Sequence, residues 1–304
     1  MQVIHVLIHI VLLTALPPLL LGVIAKTKAV FAGRVGPPVL QPYYDVIKLV
    51  QKGSVISTAT TWVFMAGPVV GLATALVAGM LVPLGGHAPP ISFEGDLILF
   101  TYLFALARFF TASAALDTGS SFEGMGAARE VTFSCLAEPA LFLGFLVLAK
   151  LSHSLSLTGM LAGSLTHAWA LGGASLVLVA VSLFIVLLVE NSRIPFDDPN
   201  THLELTMIHE VMVLDHSGPA LGMIHYGVAM KLFVLGSVLL RILVPFETGN
   251  TLLDWGLFVG GMILLAVVIG VVESTIARLR LVDIPQVLVA ACLLATFGLI
   301  LLVR

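Results

Sequence analysis

Charge is scarce in this chain: Lys, Arg, Asp and Glu make up 10% of its 304 residues, and hydrophobic residues make up 59%. One soluble core cannot hide that much apolar surface, so the mean hydropathy of +1.11 excludes a soluble globular domain. Cysteine is scarce too. Cys135 and Cys292 both fall in apolar runs and supply no paired spacing for an iron-sulfur, zinc or disulfide framework. The residue four beyond His209 is Val213, so the zinc-peptidase pattern His-Glu-x-x-His fails. No Gly-x-Ser-x-Gly elbow occurs, and the glycines from Gly119 to Gly126 hold no Gly-Lys-Ser/Thr of a phosphate loop. Internal repeats, low-complexity segments and domain linkers are not evident, which leaves one domain over 1–304. Without an inverted repeat or paired broken helices, a secondary transporter is disfavoured. No metal ligand, catalytic residue or nucleic-acid partner is expected.

What the chain has is long apolar runs. A transmembrane helix needs about 20 predominantly apolar residues, and candidate spans fall at 3–25, 60–83, 97–116, 131–151, 173–190, 220–244, 256–273 and 284–302. The expected fold is an all-α polytopic membrane protein of about eight helices, with interfacial helices in its polar loops. Met1 to Val3 carries no Lys or Arg, so the first run reads as a retained helix and not a signal peptide. Lys26, Lys28, Arg34, Lys48 and Lys52 lie in the first loop, Arg129 in the third, Arg193 in the fifth, and Arg278 and Arg280 in the seventh. The even loops are nearly bare, Lys150 excepted, so the odd loops are expected in the cytoplasm and both termini outside. The net charge of −3 says little about partners beside this asymmetry.

The first loop, KTKAVFAGRVGPPVLQPYYDVIKLVQKG, is broken by Gly36, Pro37 and Pro38, after which Gln41 to Lys52 has the spacing of a short interfacial helix. It is either a basic topology anchor or a docking surface using Arg34, Asp45 and Lys48. The third loop, LDTGSSFEGMGAAREV, is rich in small residues that permit close backbone approach, and holds Asp117, Glu123, Arg129 and Glu130. Glu138 follows inside the fourth span, where a carboxylate is costly unless paired, hydrated or protonated. It is a structural hydrogen-bonding group or a proton-handling acid.

The most polar stretch is ENSRIPFDDPNTHLELTMIHEVMVLDHSG, from Glu190 to Gly218. Glu190 and Arg193 are close enough for a local ion pair, and Pro195 and Pro199 stop regular helix. From Thr201, the spacing predicts an amphipathic helix with Leu203, Met207, Ile208, Val211 and Leu214 on one face and His202, His209 and His216, seven residues apart, on another. Glu204 and Glu210 flank those histidines. Glu273 closes the seventh span and can pair along its own helix with Arg278 or Arg280. Lys231, well inside the sixth span, should face the bundle and meet an acid; Arg108 and Arg241 raise the same question or snorkel to an interface.

Three of these segments together, GRVGPPVLQPYYDVIKL, GMGAARE followed by Glu138, and ENSRIPFD, resemble the membrane subunit shared by respiratory complex I and the energy-converting membrane-bound nickel-iron hydrogenases. The resemblance spans nearly the whole chain, and LDTGSSFEGMGAARE is similar to the hydrogenase branch, the type of formate hydrogenlyase and hydrogenase-4. It implies a membrane anchor that links redox chemistry in partner subunits to proton or sodium movement and binds no prosthetic group. The nickel-iron centre and iron-sulfur clusters would lie in a hydrogenase large subunit and an iron-sulfur small subunit, with antiporter-like membrane subunits alongside in a prokaryotic inner membrane. The alternative is a quinone-binding subunit of a complex I-like oxidoreductase. Carried onto this chain, the resemblance puts Glu138, Glu190, Glu204 and Glu210 on a proton route beside Asp197, His202 and His209, and puts Arg34, Asp45, Lys48, Arg129 and Arg193 at partner contacts. Asn200 and His202 stand where relatives carry glutamates, a departure that gives His202 or His209 a place in the relay.

Overall fold

The computed structural model describes residues 2–161, 164–198, 207–245 and 248–303, and forms no strand among them. Its helices are α1 (Gln2–Phe31), α2 (Gln41–Gln51), α3 (Trp62–Leu81), α4 (Asp96–Asp117), α5 (Ser121–Ser152), α6 (Leu157–Leu161), α7 (Ser164–Glu190), α8 (His209–Met212), α9 (Gly218–Leu243), α10 (Thr251–Thr275) and α11 (Ile284–Val303). Eight are long and apolar enough to cross a membrane: α1, α3, α4, α5, α7 from Gly172 onward, α9, α10 and α11. These are the eight runs read from the sequence.

The fourth run differs at its start. Helix α5 begins at Ser121, not near residue 131, so Glu123, Arg129 and Glu130 stand on a helix and not in a loop. Hydropathy hid this because the added turns are polar. Close packing explains why they are ordered: a Cβ on Gly126 would come within 2.4 Å of Val211 and 2.9 Å of Met212, so only glycine lets α8 lie against α5 here.

Helix α9 is the centre of the bundle, packed against α1, α2, α3, α7 and α10 and buried almost without interruption from Ala229 to Ile242. Helix α3 packs on α4, α10 on α1, and α11 on α5 and α7. The outer faces carry Tyr102, Phe109, Leu252 and Leu264, all more than half exposed, which suits hydrocarbon and not water. Arg241, in the last turn of α9, is buried and donates from Nε to the Leu161 carbonyl at 2.7 Å.

The pair Pro17-Pro18 shapes the end of the bundle that carries α2. Pro18 has no N–H, so the Thr14 carbonyl loses its helical donor; the Tyr226 hydroxyl of α9 donates to it at 2.5 Å. Tyr43 of α2 donates to the next carbonyl, that of Ala15. These two bonds tie α2 and α9 to α1. The chain then crosses α1 at Gly22, where any Cβ would overlap the Val39 carbonyl oxygen at 1.8 Å.

Candidate functional site

Charged side chains from four helices form a row through the bundle. Glu138 Oε1 of α5 lies 2.8 Å from Arg108 Nη2 of α4, Arg108 Nη1 lies 2.8 Å from Glu190 Oε1 of α7, and Lys231 Nζ of α9 lies 2.7 Å from Glu190 Oε2. The signs alternate, so each group is stabilised by its neighbour in a medium where a lone charge costs about 2.5–3.5 kcal/mol. Lys231 also lies 5.9 Å from the centre of the Phe104 ring, near enough for a cation–π contribution. The row is not uniformly sealed: the Glu190 side chain is 7% exposed and that of Glu138 is 39% exposed.

Two further charged centres adjoin it. Glu273 of α10 takes Lys28 at 2.9 Å and Arg193 at 3.4 Å. Asp197 takes Arg278 at 2.8 Å on Oδ1, and accepts the backbone N–H groups of Ile208 and His209 on Oδ2 at 3.0 and 3.1 Å. The local Glu190–Arg193 pair expected from the sequence is therefore absent, as is pairing of Glu273 along its own helix. The reason is the end of α7. Ser192 adopts a left-handed φ of 50°, and the Arg193 N–H bonds back to the Leu188 carbonyl at 2.9 Å, a helix-closing geometry that reverses the chain and sends Arg193 away from Glu190.

The amphipathic helix expected from Thr201 is also revised. Among the described residues the helix is limited to His209–Met212. Asp197 captures the N–H groups at its start, and Glu123 Oε1 captures the Asp215 N–H at 3.0 Å beyond its end. His209 and His216 thus part company: His216 stacks on Phe64, ring centres 3.9 Å apart, while His209 turns into the charged interior. Burial holds both imidazoles down at about 4, with Lys231 adding to the effect on His209. Burial, reinforced by Asp197 and opposed by Arg193, lifts the Glu210 carboxyl to about 7. Glu204 and His202 lie outside the described residues.

Cavities border these groups. One of about 80 Å³ is lined by Arg108, Glu130, Glu190, His209 and Lys231. A second, of about 560 Å³, lies between α1, α2 and α9, with Pro18, Leu21 and Leu49 on its apolar side and Lys28, Arg193, His209 and Glu210 on its polar side. A third, of about 110 Å³, lies beside Arg108 and Glu138. Glu130 carries no insertion-cost signal in the sequence, because hydropathy leaves it in the third loop; Arg108 and Lys231 do give that signal, a charge inside an apolar span. The residues read as partner contacts divide. Arg34, Asp45 and Lys48 are exposed, whereas Arg129 donates to the Met207 carbonyl at 2.8 Å and Arg193 is turned inward to Glu273.

This arrangement can move protons or hold charge in a membrane; among the described residues no group of three or more His, Cys, Asp or Glu could hold a metal ion. The chain is 33% identical over 294 residues to formate hydrogenlyase subunit 4 of Escherichia coli (strain K12), covering 94% of both proteins. It is 34% identical over 291 residues to hydrogenase-4 component C of the same organism, covering 94% of this chain and 91% of that one. The fold matches a chain of an archaeal respiratory membrane complex, the membrane-bound sulfane sulfur reductase, with a TM-score of 0.84 and 23% identity over 98% of each. The family model described as NADH dehydrogenase matches residues 3–304, and this multi-pass membrane chain belongs to that family.

Proposed function

We propose that the chain is the membrane anchor and energy-coupling subunit of a multisubunit energy-converting nickel-iron hydrogenase complex in a prokaryotic inner membrane. Electron transfer would occur in a large nickel-iron subunit and an iron-sulfur small subunit docked on the basic end, and antiporter-like membrane subunits would lie beside the bundle. The observation that carries this reading is the row Glu138–Arg108–Glu190–Lys231. Its position inside apolar helices, with one end partly exposed on α5, suits transfer of a proton between the redox arm and a neighbouring membrane subunit. The two relatives that are parts of hydrogenase systems favour hydrogen as the redox substrate. In this reading, the basic loops face the cytoplasm and both termini lie outside.

Charge movement depends on the acids in this scheme, with Glu138, Glu190 and Glu210 joined by Glu130, and with Asp197 and His209 alongside. The test is the composition and coupling of the purified complex. A partner with paired Cys-x-x-Cys nickel ligands, and proton or sodium uptake into vesicles during hydrogen turnover, are the expected results; a complex without such a partner overturns the hydrogenase assignment.

A second reading rests on the cavity of about 560 Å³, which is within the size range of small-molecule sites. Its apolar wall and the polar groups of His209, Glu210 and Tyr226 suit a quinone ring with part of its tail. Quinone co-purifying with the complex, and quinone-dependent turnover lost on narrowing the cleft with Ala25→Trp, would favour this reading.

A further inference from the structure

Two of the cavities share a wall. Asn191, Ser192, His209 and Val228 line both the cleft of about 560 Å³ and the charged cavity of about 80 Å³. Two polar atoms of that wall, His209 Nε2 and Asn191 Oδ1, are buried with no hydrogen-bond partner among the described residues. Buried polar atoms without partners are rare in folded proteins and ask for an explanation. The Asn191 amide is itself fixed, because Nδ2 donates to the Leu187 carbonyl at 2.8 Å. The backbone of His209 is fixed as well, by the Asp197 carboxylate.

We infer that His209 is the proton shuttle between the two cavities. The inference rests on the coupling role proposed above. In the transfer, one imidazole nitrogen takes a proton from the Glu210 carboxyl on the cleft side, and the other gives its proton to the Glu130 carboxylate on the charged side. One proton leaves, one arrives, and the ring is neutral before and after. The ring is then the other tautomer, and rotation about Cβ–Cγ turns its N–H to the charged side and its bare nitrogen to the cleft, ready for the next proton.

The surroundings favour this over storage of charge on the ring. On the smaller cavity His209 faces Glu130, Glu190, Arg108 and Lys231; on the cleft it faces Glu210, Arg193, Lys28, His225 and Asp45. With its basicity held at about 4 by burial and Lys231, the ring is an imidazolium about one part in a thousand of the time at neutral pH. It can pass a proton but not keep one. Glu130 is a suitable acceptor because it has no ion-pair partner among the described residues, whereas Glu190 is held by two cations.

The test uses the whole complex in sealed vesicles and reads ions translocated per electron transferred. His209→Gln, which keeps polarity but cannot titrate near neutrality, should lower that ratio about tenfold or more. His209→Ala should show the same loss, and millimolar imidazole added to the same vesicles should restore it, a recovery that a purely structural role does not produce. An unmutated ratio in His209→Gln overturns the shuttle, as does a defect that imidazole fails to relieve, and as does failure of both variants to assemble. Glu190→Gln separates the two levels of the argument. If it abolishes coupling while His209→Gln does not, the shuttle alone fails; if neither changes the ratio, or the unmutated complex moves no ions, the coupling role fails with it.

Discussion

Glu190 and Glu273 are both glutamates at the ends of apolar helices, both nearly unexposed, and both held by two cations. Their surroundings separate them. Around Glu273, two cations face one acid and the carboxylate is wholly buried. Around Glu190, three acids, Glu130, Glu138 and Glu190, stand near the two cations Arg108 and Lys231, cavities adjoin, and the row ends at a partly exposed carboxylate. A buried ion pair is by itself weak evidence for stability or for transport. The proposed relay calls for an excess of acid over base beside reachable space; both centres border a cavity, through Lys28 and Arg193 at Glu273, but the excess of acid is at the Glu190 centre.

The largest effect that would break this contrast lies at Glu273. Glu273→Ala strands Lys28 and Arg193 in a buried site, and removing one partner of such a pair costs about 3–5 kcal/mol. Thermal inactivation of the detergent-solubilised complex should show a large loss of stability; an unchanged midpoint would mean that the centre does not pin α1, α10 and the 191–198 segment together. At the other centre, Glu190→Gln should lower ion translocation per electron by about tenfold or more, whereas Glu138→Gln, at the partly exposed end, should lower it by a few-fold. Equal effects of the two would show that the row has no direction.

The eight spans were legible because about 20 apolar residues in a row admit few readings in a membrane. The partners of the charges were not. Arg108 is 30 residues from Glu138 and 82 from Glu190, and nothing local in the sequence chooses between these and nearer acids. Insertion cost identified Arg108 and Lys231 as groups needing a partner, but helix packing chose the partner. Local arithmetic is misleading twice: Glu190 and Arg193 are three positions apart and His209 and His216 seven, yet a left-handed turn at Ser192 and backbone capture by Asp197 and Glu123 send each pair apart. Tertiary hydrogen bonds overrode helical periodicity in the one polar stretch where apolar packing was least able to enforce it.

A titration sharpens the comparison at smaller scale. Glu210 has an ordinary value of 4.5 and is lifted to about 7 by burial, so the folded chain keeps a proton that the unfolded chain releases between those values. Its contribution is fully present below about 4.5 and is lost as pH rises through 7. His209 runs the opposite way: lowered from 6.5 to about 4, it contributes stability above 6.5 that is lost as pH falls through 4. Glu210→Gln should remove the first slope and leave the second. Relative to the unmutated complex, the variant should gain on the order of 1–3 kcal/mol at pH 8 compared with pH 4.5, reduced by whatever water in the cleft screens. Inactivation midpoints at the two pH values test this, and a difference that does not vary with pH counts against a proton held on Glu210.

The smallest effect on the chain itself should come from Arg34 and Lys48, which are exposed and stand apart from both buried centres. Exposed substitutions of this kind change stability by about 0.5 kcal/mol or less, so Arg34→Glu with Lys48→Glu should leave the isolated membrane subunit's inactivation midpoint nearly unchanged. Docking is another matter under the proposed function: if this surface meets acidic partner groups, reversing two charges replaces attraction with repulsion, and such interactions between exposed charges weaken as salt rises. The hydrophilic subunits should therefore be lost from the double variant on purification, most completely at low ionic strength where the repulsion is least screened. Arg193→Glu is the contrasting case: it reverses a charge 3.4 Å from Glu273 and should unsettle the bundle before it affects any partner. Full retention of the hydrophilic subunits by the Arg34→Glu, Lys48→Glu variant would show that the exposed basic loop orients the chain in the membrane and does not hold the redox arm.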